Sequence, residues 1–435
     1  MNEETMRWTG MQLRVLALVI LLYTVDGIDN QMLAIVVPSL VSDWARAAAE
    51  FKFALAAGYV GTLIGASVGG VLSDQHGRKP VMVGCAMLFG AATLAMTLAT
   101  QPAHLVILRV VSGLGLGGCI PPAIALLTEC VQPVRRGIVV SLALLSPPLG
   151  IAISGLMGAA IISRLGWPAM FWIGGLLPLA VAILMLWLLP ESPSYLARFA
   201  RNRERLEKLV AKLGIALPEA ATGKPGEKSA KSSLSQVLAP GFRAVALGIF
   251  GAFVFAQLAL SMVYNWLPTL LTKAGFPLST ASVSLSVWSM SGIAGTLAAG
   301  WTISRWGAHR MSNIIVLATM GSALLLAFVS RSSTSDLPLM IGLIALTGCL
   351  SSGINTALYS RATEVFPASI RASGLGFSSM SGKSGQLCGA LAGASLIGLN
   401  GITGFFMGHA TCLLIALGCL NAGLLPSRRS RTESG

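Results

Sequence analysis

Apolar residues in this chain gather into long unbroken runs, not the period-two alternation of a half-buried strand or the single stripe of a soluble helix. Twelve runs can be traced. They lie near 12–37, 51–72, 81–100, 103–128, 137–162 and 168–189, then near 242–267, 280–303, 311–330, 337–360, 371–397 and 401–425. A helix needs about 20 mostly apolar residues to cross a bilayer core, so each run predicts a spanning helix. The expected fold is an all-α membrane protein with twelve transmembrane helices. Pro102 marks a very short outer turn between the third and fourth runs. The first run follows Arg7 and Arg14 without a small-residue cleavage site, which reads as a retained helix rather than a signal peptide.

The polar segments between the runs repeat. Gly70-Val71-Leu72-Ser73-Asp74-Gln75-His76-Gly77-Arg78-Lys79 follows the second run, and a worn copy, Gly300-Trp301-Thr302-Ile303-Ser304-Arg305-Trp306-Gly307-Ala308-His309-Arg310, follows the eighth. Thr128-Glu129 with Pro133 and Arg135 is matched at a similar offset by Thr363-Glu364 with Pro367 and Arg371. Two copies of one pattern imply two homologous halves around a central path, which is how secondary transporters are built. The expected division is a six-helix bundle over 1–189, a cytoplasmic linker over 190–241, and a pseudo-symmetric six-helix bundle with a cytoplasmic tail over 242–435. The linker opens with Pro190-Glu191-Ser192-Pro193, continues as a short basic helix around 194–213, and then runs through a Pro, Gly, Lys and Ser stretch at 218–233 that should be flexible.

Composition points the same way. Apolar residues make up 54% of the chain and charged residues 11%, against roughly 25% charged in an average soluble domain. The net charge of +14 raises the question of nucleic acid, but its placement answers it. Arg78, Lys79, Arg135, Arg136, Arg305, Arg310, Arg428, Arg429 and Arg431 fall on one side of the twelve-span arrangement, together with the basic linker. The other side holds only Arg46, Lys52, Arg164, Lys273 and Arg331. That asymmetry sets both termini in the cytoplasm and leaves anionic membrane lipid, not nucleic acid, as the basic surface's partner. The seven cysteines lack the paired spacing of a metal site, and no nucleophile–base arrangement or Gly-Lys-Ser/Thr phosphate loop is present. An enzyme, an ATP-driven pump, a cofactor and a metal are all disfavoured.

Ionisable groups within a bilayer are expensive and therefore functional candidates. Asp26, Asp29, Arg109 and Lys383 lie well inside predicted spans. Asp26 and Asp29, three residues apart, share roughly one helix face. Counting helical rise from each end, Asp29 and Arg109 overlap in depth, so either aspartate can pair with the arginine. Paired, the aspartate stays ionised; buried without its partner, it favours the neutral acid. Protonation then frees the guanidinium to fork onto a substrate carboxylate. This is a route to proton symport of an organic anion. Lys383, with Gln386 one turn along, has no buried acid in its own half and suits a substrate anion. The seventh run carries a polar stripe of Gln257, Ser261, Tyr264 and Asn265, and the tenth adds Asn355 and Tyr359. These can bind substrate or hold helices together. Trp288 reads as apolar packing. Gly70, Asp74, Gly77, Arg78 and Lys79 form a candidate cytoplasmic latch at a tight turn. Glu129, Arg135, Glu364 and Arg371 are expected to add a related set of gating ion pairs.

These motifs carry a resemblance. Asp26-Gly27-x-Asp29, the segment from Arg109 to Glu129, Trp266-Leu267-Pro268-Thr269-Leu270-Leu271 with Gly275-Phe276, and Arg371-Ala372-Ser373-Gly374-x-Gly376 resemble the aromatic acid:proton symporters of the major facilitator superfamily. The 70–79 loop and Pro190-Glu191-Ser192 fit as well, and the likeness spans nearly the whole chain. It implies alternating access between two bundles and uptake of a benzoate-like carboxylate across a bacterial inner membrane, by a functional monomer. It also implies coupling and binding roles for Asp26, Asp29 and Arg109. Three positions depart from the pattern: Gln75 and Ser304 replace an arginine and an aspartate in the two loops, and Lys383 stands where an arginine is common. The alternatives are a proton-coupled antiporter exporting a drug or metabolite, and a symporter for an aliphatic or sugar acid. Ser146-Pro147-Pro148-Leu149-Gly150 keeps only part of the Gly-Pro-x-x-Gly pattern that antiporters tend to carry, which favours symport.

Overall fold

The computed structural model describes residues 8–198, 203–217, 237–238, 243–330, 337–367 and 370–422. The 218–233 stretch, Arg7, Arg331 and the arginines at 428, 429 and 431 lie outside them. In chain order the helices are α1 (Gly10–Asp43), α2 (Lys52–His76), α3 (Arg78–Ala95), α4 (Pro102–Glu129), α5 (Arg136–Leu144), α6 (Ser146–Leu165) and α7 (Pro168–Leu188). Next come α8 (Pro193–Leu196), α9 (Arg203–Leu213), α10 (Arg243–Lys273), α11 (Leu278–Trp306), α12 (Ala308–Val329), α13 (Leu337–Val365) and α14 (Arg371–Ala422). No strand occurs among the described residues.

Eleven helical stretches among the described residues are long and apolar enough to span a membrane, α5 and α6 counting as one. The predicted run at 371–397 is helical as expected but is not one of the eleven. It forms the first half of α14, where Ser373, Ser378, Ser379, Ser381, Lys383, Ser384 and Gln386 dilute its apolar character. Gly401, at φ +58°, separates it from the last apolar helix, Gly401–Ala422. Between α5 and α6 the helix is interrupted at Leu145. Pro147 and Pro148 follow, and they lack the backbone donors a continuous ladder needs.

The chain forms two compact units. Unit 1 comprises Met1–Met32, Ala57–Ile151 and Leu165–Ala230, and unit 2 comprises Leu33–Ala56, Ala152–Arg164 and Lys231–Gly435. The division therefore passes through α1 and assigns α9 to unit 1. α9 is amphipathic: Leu206, Leu209, Val210 and Leu213 are buried in unit 1's core beside Val15, Val19 and Leu126. On its exposed face Glu204–Lys208 and Arg203–Glu207 pair one turn apart. Gln12 fastens the end of α9 by donating from Nε2 to the carbonyl of Leu213 at 2.8 Å.

Within unit 1 the backbones of α2 and α4 touch. A Cβ built on Gly61 would lie 2.2 Å from the carbonyl oxygen of Val110, and one on Gly65 would lie 2.2 Å from that of Leu114. Only glycine permits this approach, and such small-residue seams are a means by which helices associate in lipid, where burial of apolar surface supplies little drive. The seam fixes α4 in register with α2, and so fixes the height of Arg109.

Candidate functional site

Arg109 projects from α4 toward α1, in a space that Gly58 of α2 leaves open; a Cβ there would come within 3.2 Å of the guanidinium. Its Nη1 lies 3.2 Å from Asp29 Oδ2 and also donates to the Asp29 carbonyl at 3.1 Å. Nη2 donates to the Asn30 carbonyl at 3.2 Å. Thr93 of α3 donates its hydroxyl to Asp29 Oδ1. Both charged side chains are almost fully buried, at 4% and 1% exposure. Of the two partners the spacing allowed for Arg109, the structure selects Asp29. Asp26 is half-buried one turn away and borders a cavity of about 10 Å³ with Tyr23, Phe89 and Cys119. The Tyr23 hydroxyl donates to the Ile120 carbonyl at 3.2 Å.

The pair is built to hold an ion without water. Both Asp29 oxygens accept hydrogen bonds and Arg109 also grips two α1 carbonyls, while the guanidinium Nε has no partner among the described residues. Breaking such a pair from one side leaves an uncompensated charge in a low-dielectric interior, at a cost of about 3–5 kcal/mol. Neutralising Asp29 alone leaves Arg109 as that uncompensated charge, so the penalty is avoided only when an anion replaces the carboxylate.

In unit 2 the candidate residues lie on α10, α13 and α14. Lys383 and Gln386 are half-buried on α14. Gln257 of α10 faces α14 closely enough that a Cβ on Gly382 would meet its side chain at 3.1 Å. Asn265 donates Nδ2 to the carbonyl and hydroxyl of Ser261 at 2.8 and 3.0 Å, and Ser261 donates to the Gln386 carbonyl at 2.6 Å. This part of the stripe therefore ties α10 to α14, the helix-holding role that sequence had left open. Tyr264 stands edge-on to Trp288, with ring centroids 6.4 Å apart, and Tyr359 stands edge-on to Phe253 at 5.0 Å. Asn355 Oδ1, Gln386 Oε1 and the Trp288 indole nitrogen are buried with no hydrogen-bond partner among the described residues.

The loop between α2 and α3 is a network. Gly77 adopts φ +101°, and a Cβ on it would lie 2.6 Å from a Glu191 carboxylate oxygen. Glu191 accepts from the backbone N–H groups of Arg78 and Lys79 at 2.8 and 3.3 Å, so it caps the start of α3 where the helix dipole favours an anion. Arg78 pairs with Asp74 and, at 3.5 Å, with Glu129, while Ser192 donates its hydroxyl to Glu129. Arg198 donates to the Asp74 carbonyl at 2.6 Å. Gly70 is half-buried on α2, with Pro121 as its nearest neighbour.

The other expected gating pairs do not form as drawn. Glu129 goes to Arg78, whereas Arg135 donates to Gln12 at 3.4 Å and covers the Trp8 ring at 4.6 Å. Glu364 accepts from the Ala308 N–H at 3.3 Å, and Arg371 donates to the Phe366 carbonyl at 3.2 Å. The reason lies in the turn. Gly307 repeats the positive φ of Gly77, at +84°, but Ala308 stands where Arg78 would be, leaving Glu364 only a backbone donor.

The model of the Major Facilitator Superfamily matches residues 19–337. The chain belongs to that superfamily. It is 31% identical over 419 residues to the 3-(3-hydroxy-phenyl)propionate transporter of Escherichia coli, covering 96% of this chain and 95% of that one. It is 30% identical to the gallate transporter of Pseudomonas putida (89% and 86% covered) and 29% identical to the 4-hydroxybenzoate transporter of Pseudomonas aeruginosa (89% and 87%). These relatives set the chain among the superfamily's aromatic acid transporters; they are membrane transporters rather than enzymes. Solved structures share the fold. A D-xylose-proton symporter superposes with a TM-score of 0.74 at 16% identity, covering 94% of this chain and 97% of that one. A bacterial homologue of the lysosomal transporter Spinster, inward-facing and unoccupied, superposes at 0.75 with 15% identity, covering 96% and 97%.

Sequence reasoning missed Thr93, His409 and Arg361. Thr93 and His409 are single polar residues in apolar helices, marked by no motif. Arg361 falls one residue past the predicted tenth run, yet is only 7% exposed.

Proposed function

We infer that this protein imports an aromatic carboxylate by proton symport, with Asp29 as the coupling acid and Arg109 as the substrate clamp. The single observation that carries the reading is the buried Asp29–Arg109 pair. The empty site is neutral: one carboxylate and one guanidinium. Adding a proton alone leaves an unpaired cation, and adding a carboxylate alone leaves an unpaired anion. Either state is costly in a dry interior. Adding both restores neutrality, with the proton on Asp29 and the substrate carboxylate on Arg109. Coupling follows from that charge balance. The relatives' substrates, a hydroxybenzoate, gallate and a hydroxyphenylpropionate, support an aromatic acid as cargo.

In unit 2 we assign Lys383, Gln386, Gln257, Tyr264, Asn355 and Tyr359 to substrate recognition, and the amide of Asn265 to supporting α14. The network of Asp74, Gly77, Arg78, Lys79 and Glu129, capped by Glu191, serves as a cytoplasmic latch, with Arg135, Glu364 and Arg371 at neighbouring helix ends. The protein works as a monomer of two bundles in a bacterial inner membrane, with both termini in the cytoplasm.

Proteoliposome uptake of labelled benzoate and 4-hydroxybenzoate, with and without an inward proton gradient, tests the reading. Gradient-driven accumulation is expected in the wild type. Asp29→Asn should abolish uphill accumulation while retaining exchange, and Arg109→Ala should abolish both. Uphill accumulation by Asp29→Asn would remove Asp29 from the coupling role. Proton release on adding a substrate to loaded vesicles, with no carboxylate uptake, would replace symport by antiport.

A further inference from the structure

His409 lies in the last helical segment of unit 2, with no exposure to solvent. Its Nδ1 is 3.1 Å from the carbonyl oxygen of Ala259 on α10. A carbonyl can only accept, so Nδ1 carries the proton, and in the neutral ring Nε2 is then a lone-pair acceptor. That Nε2 is buried and has no hydrogen-bond partner among the described residues. Trp288 of α11 is equally buried, and its indole N–H, a donor only, also has no partner. The two rings meet edge-on with centroids 6.4 Å apart. Phe406 and Tyr264 close the group, edge-on to His409 at 6.2 Å and to Trp288 at 6.4 Å.

One unpartnered acceptor and one unpartnered donor thus lie on adjoining rings of one buried aromatic group. A carboxylate does not fit this pair, because an anion accepts but cannot donate to Nε2. An amine does not fit, because an ammonium cannot accept from the indole. A hydroxyl does both. We propose that His409 and Trp288 are the specificity-determining pair that reads a ring hydroxyl on the substrate, the hydroxyl donating to His409 Nε2 and accepting from Trp288 Nε1–H. The Ala259 carbonyl acts as the positioning group that holds His409 in the accepting tautomer. The ligand's identity rests on the aromatic-acid reading above. The hydroxyl recognition itself rests only on these two nitrogens.

Two measurements on the full-length protein test this. The first is competition of labelled uptake by 4-hydroxybenzoate against 4-methylbenzoate, which has similar shape but no hydroxyl. The wild type should favour the hydroxyl compound about tenfold or more, the scale of one well-formed buried hydrogen bond and its unmade counterpart. His409→Phe and Trp288→Phe should bring the hydroxyl and methyl compounds to equal competition. The second is thermal stabilisation of the purified protein by phenol against toluene, which needs no transport. Phenol should stabilise the wild type at concentrations where toluene does not, and both variants should lose the difference. An equal response to phenol and toluene, or a phenol response retained by both variants, overturns the proposal and leaves a buried water as the pair's occupant. If the wild type transports no carboxylate yet keeps the phenol response, the transport reading fails while the hydroxyl site stands.

Discussion

In unit 1, buried polar groups find one another: Asp29 is held by Arg109 and Thr93, and Arg109 also grips two α1 carbonyls. In unit 2, Trp288 Nε1, Ser351 Oγ, Asn355 Oδ1, Gln386 Oε1 and His409 Nε2 are all buried without a hydrogen-bond partner among the described residues, against Arg78 Nε and Arg109 Nε in unit 1. A satisfied ion pair stabilises one arrangement and resists change until a proton or an anion arrives. Unsatisfied dipoles weaken the fold on their own, at about 1–3 kcal/mol each, and are stabilised by whatever ligand completes them. The two loops differ in the same way. Around Gly77 three side chains, Asp74, Glu129 and Glu191, converge on Arg78, whereas around Gly307 Glu364 accepts from the Ala308 backbone N–H. Among the described residues, unit 1 pairs its buried ions, and unit 2 holds most of the buried polar atoms left open.

The comparison breaks most sharply by unbalancing the ion pair. Arg109→Ala strands a buried carboxylate and should destabilise the protein by about 3–5 kcal/mol in thermal unfolding. Asp29→Leu combined with Arg109→Met, which removes both charges, should recover much of that stability while abolishing transport. If the double variant is as unstable as the single, the pair is not what holds α1 to α4. Next comes the helix seam: Gly65→Val drives a side chain into the Leu114 carbonyl and should cost about 1–3 kcal/mol, read as a lower melting temperature. Gly77→Ala follows, at about 1–3 kcal/mol for a left-handed backbone at the turn, with a measurable change in transport rate if the latch gates the cycle. The smallest effect is expected on the receptive side. Gln386→Leu should leave stability within about 1 kcal/mol of wild type, since it removes an acceptor that has no partner, yet it should lower substrate affinity. A loss as large as that of Arg109→Ala would show that unit 2 is as locked as unit 1.

Much of this was readable in the chain. Asp29 and Arg109 stood out because charge in an apolar run has few explanations, and helical rise alone put them at similar depth. Choosing Asp29 over Asp26 needed the rotation of α1 and the hydroxyl of Thr93, a residue with no signal of its own. The latch loop was visible from its repeat, but its partners were not. Glu129 turns to Arg78 rather than Arg135 because Glu191 comes back onto the start of α3 and Ser192 onto Glu129 itself, both from far along the chain. Asn265 shows the opposite limit: a polar residue on the expected face donates within its own helix to Ser261, which in turn donates to α14.

The sequence by itself determined the membrane class, the helix positions and the buried Asp29 and Arg109, because the cost of polar groups in hydrocarbon acts on each segment separately. Only the tertiary structure decided which polar groups are partnered and which are left open. Hydrogen bonds have short range and strict direction, and the atoms that complete them come from helices far apart in the chain.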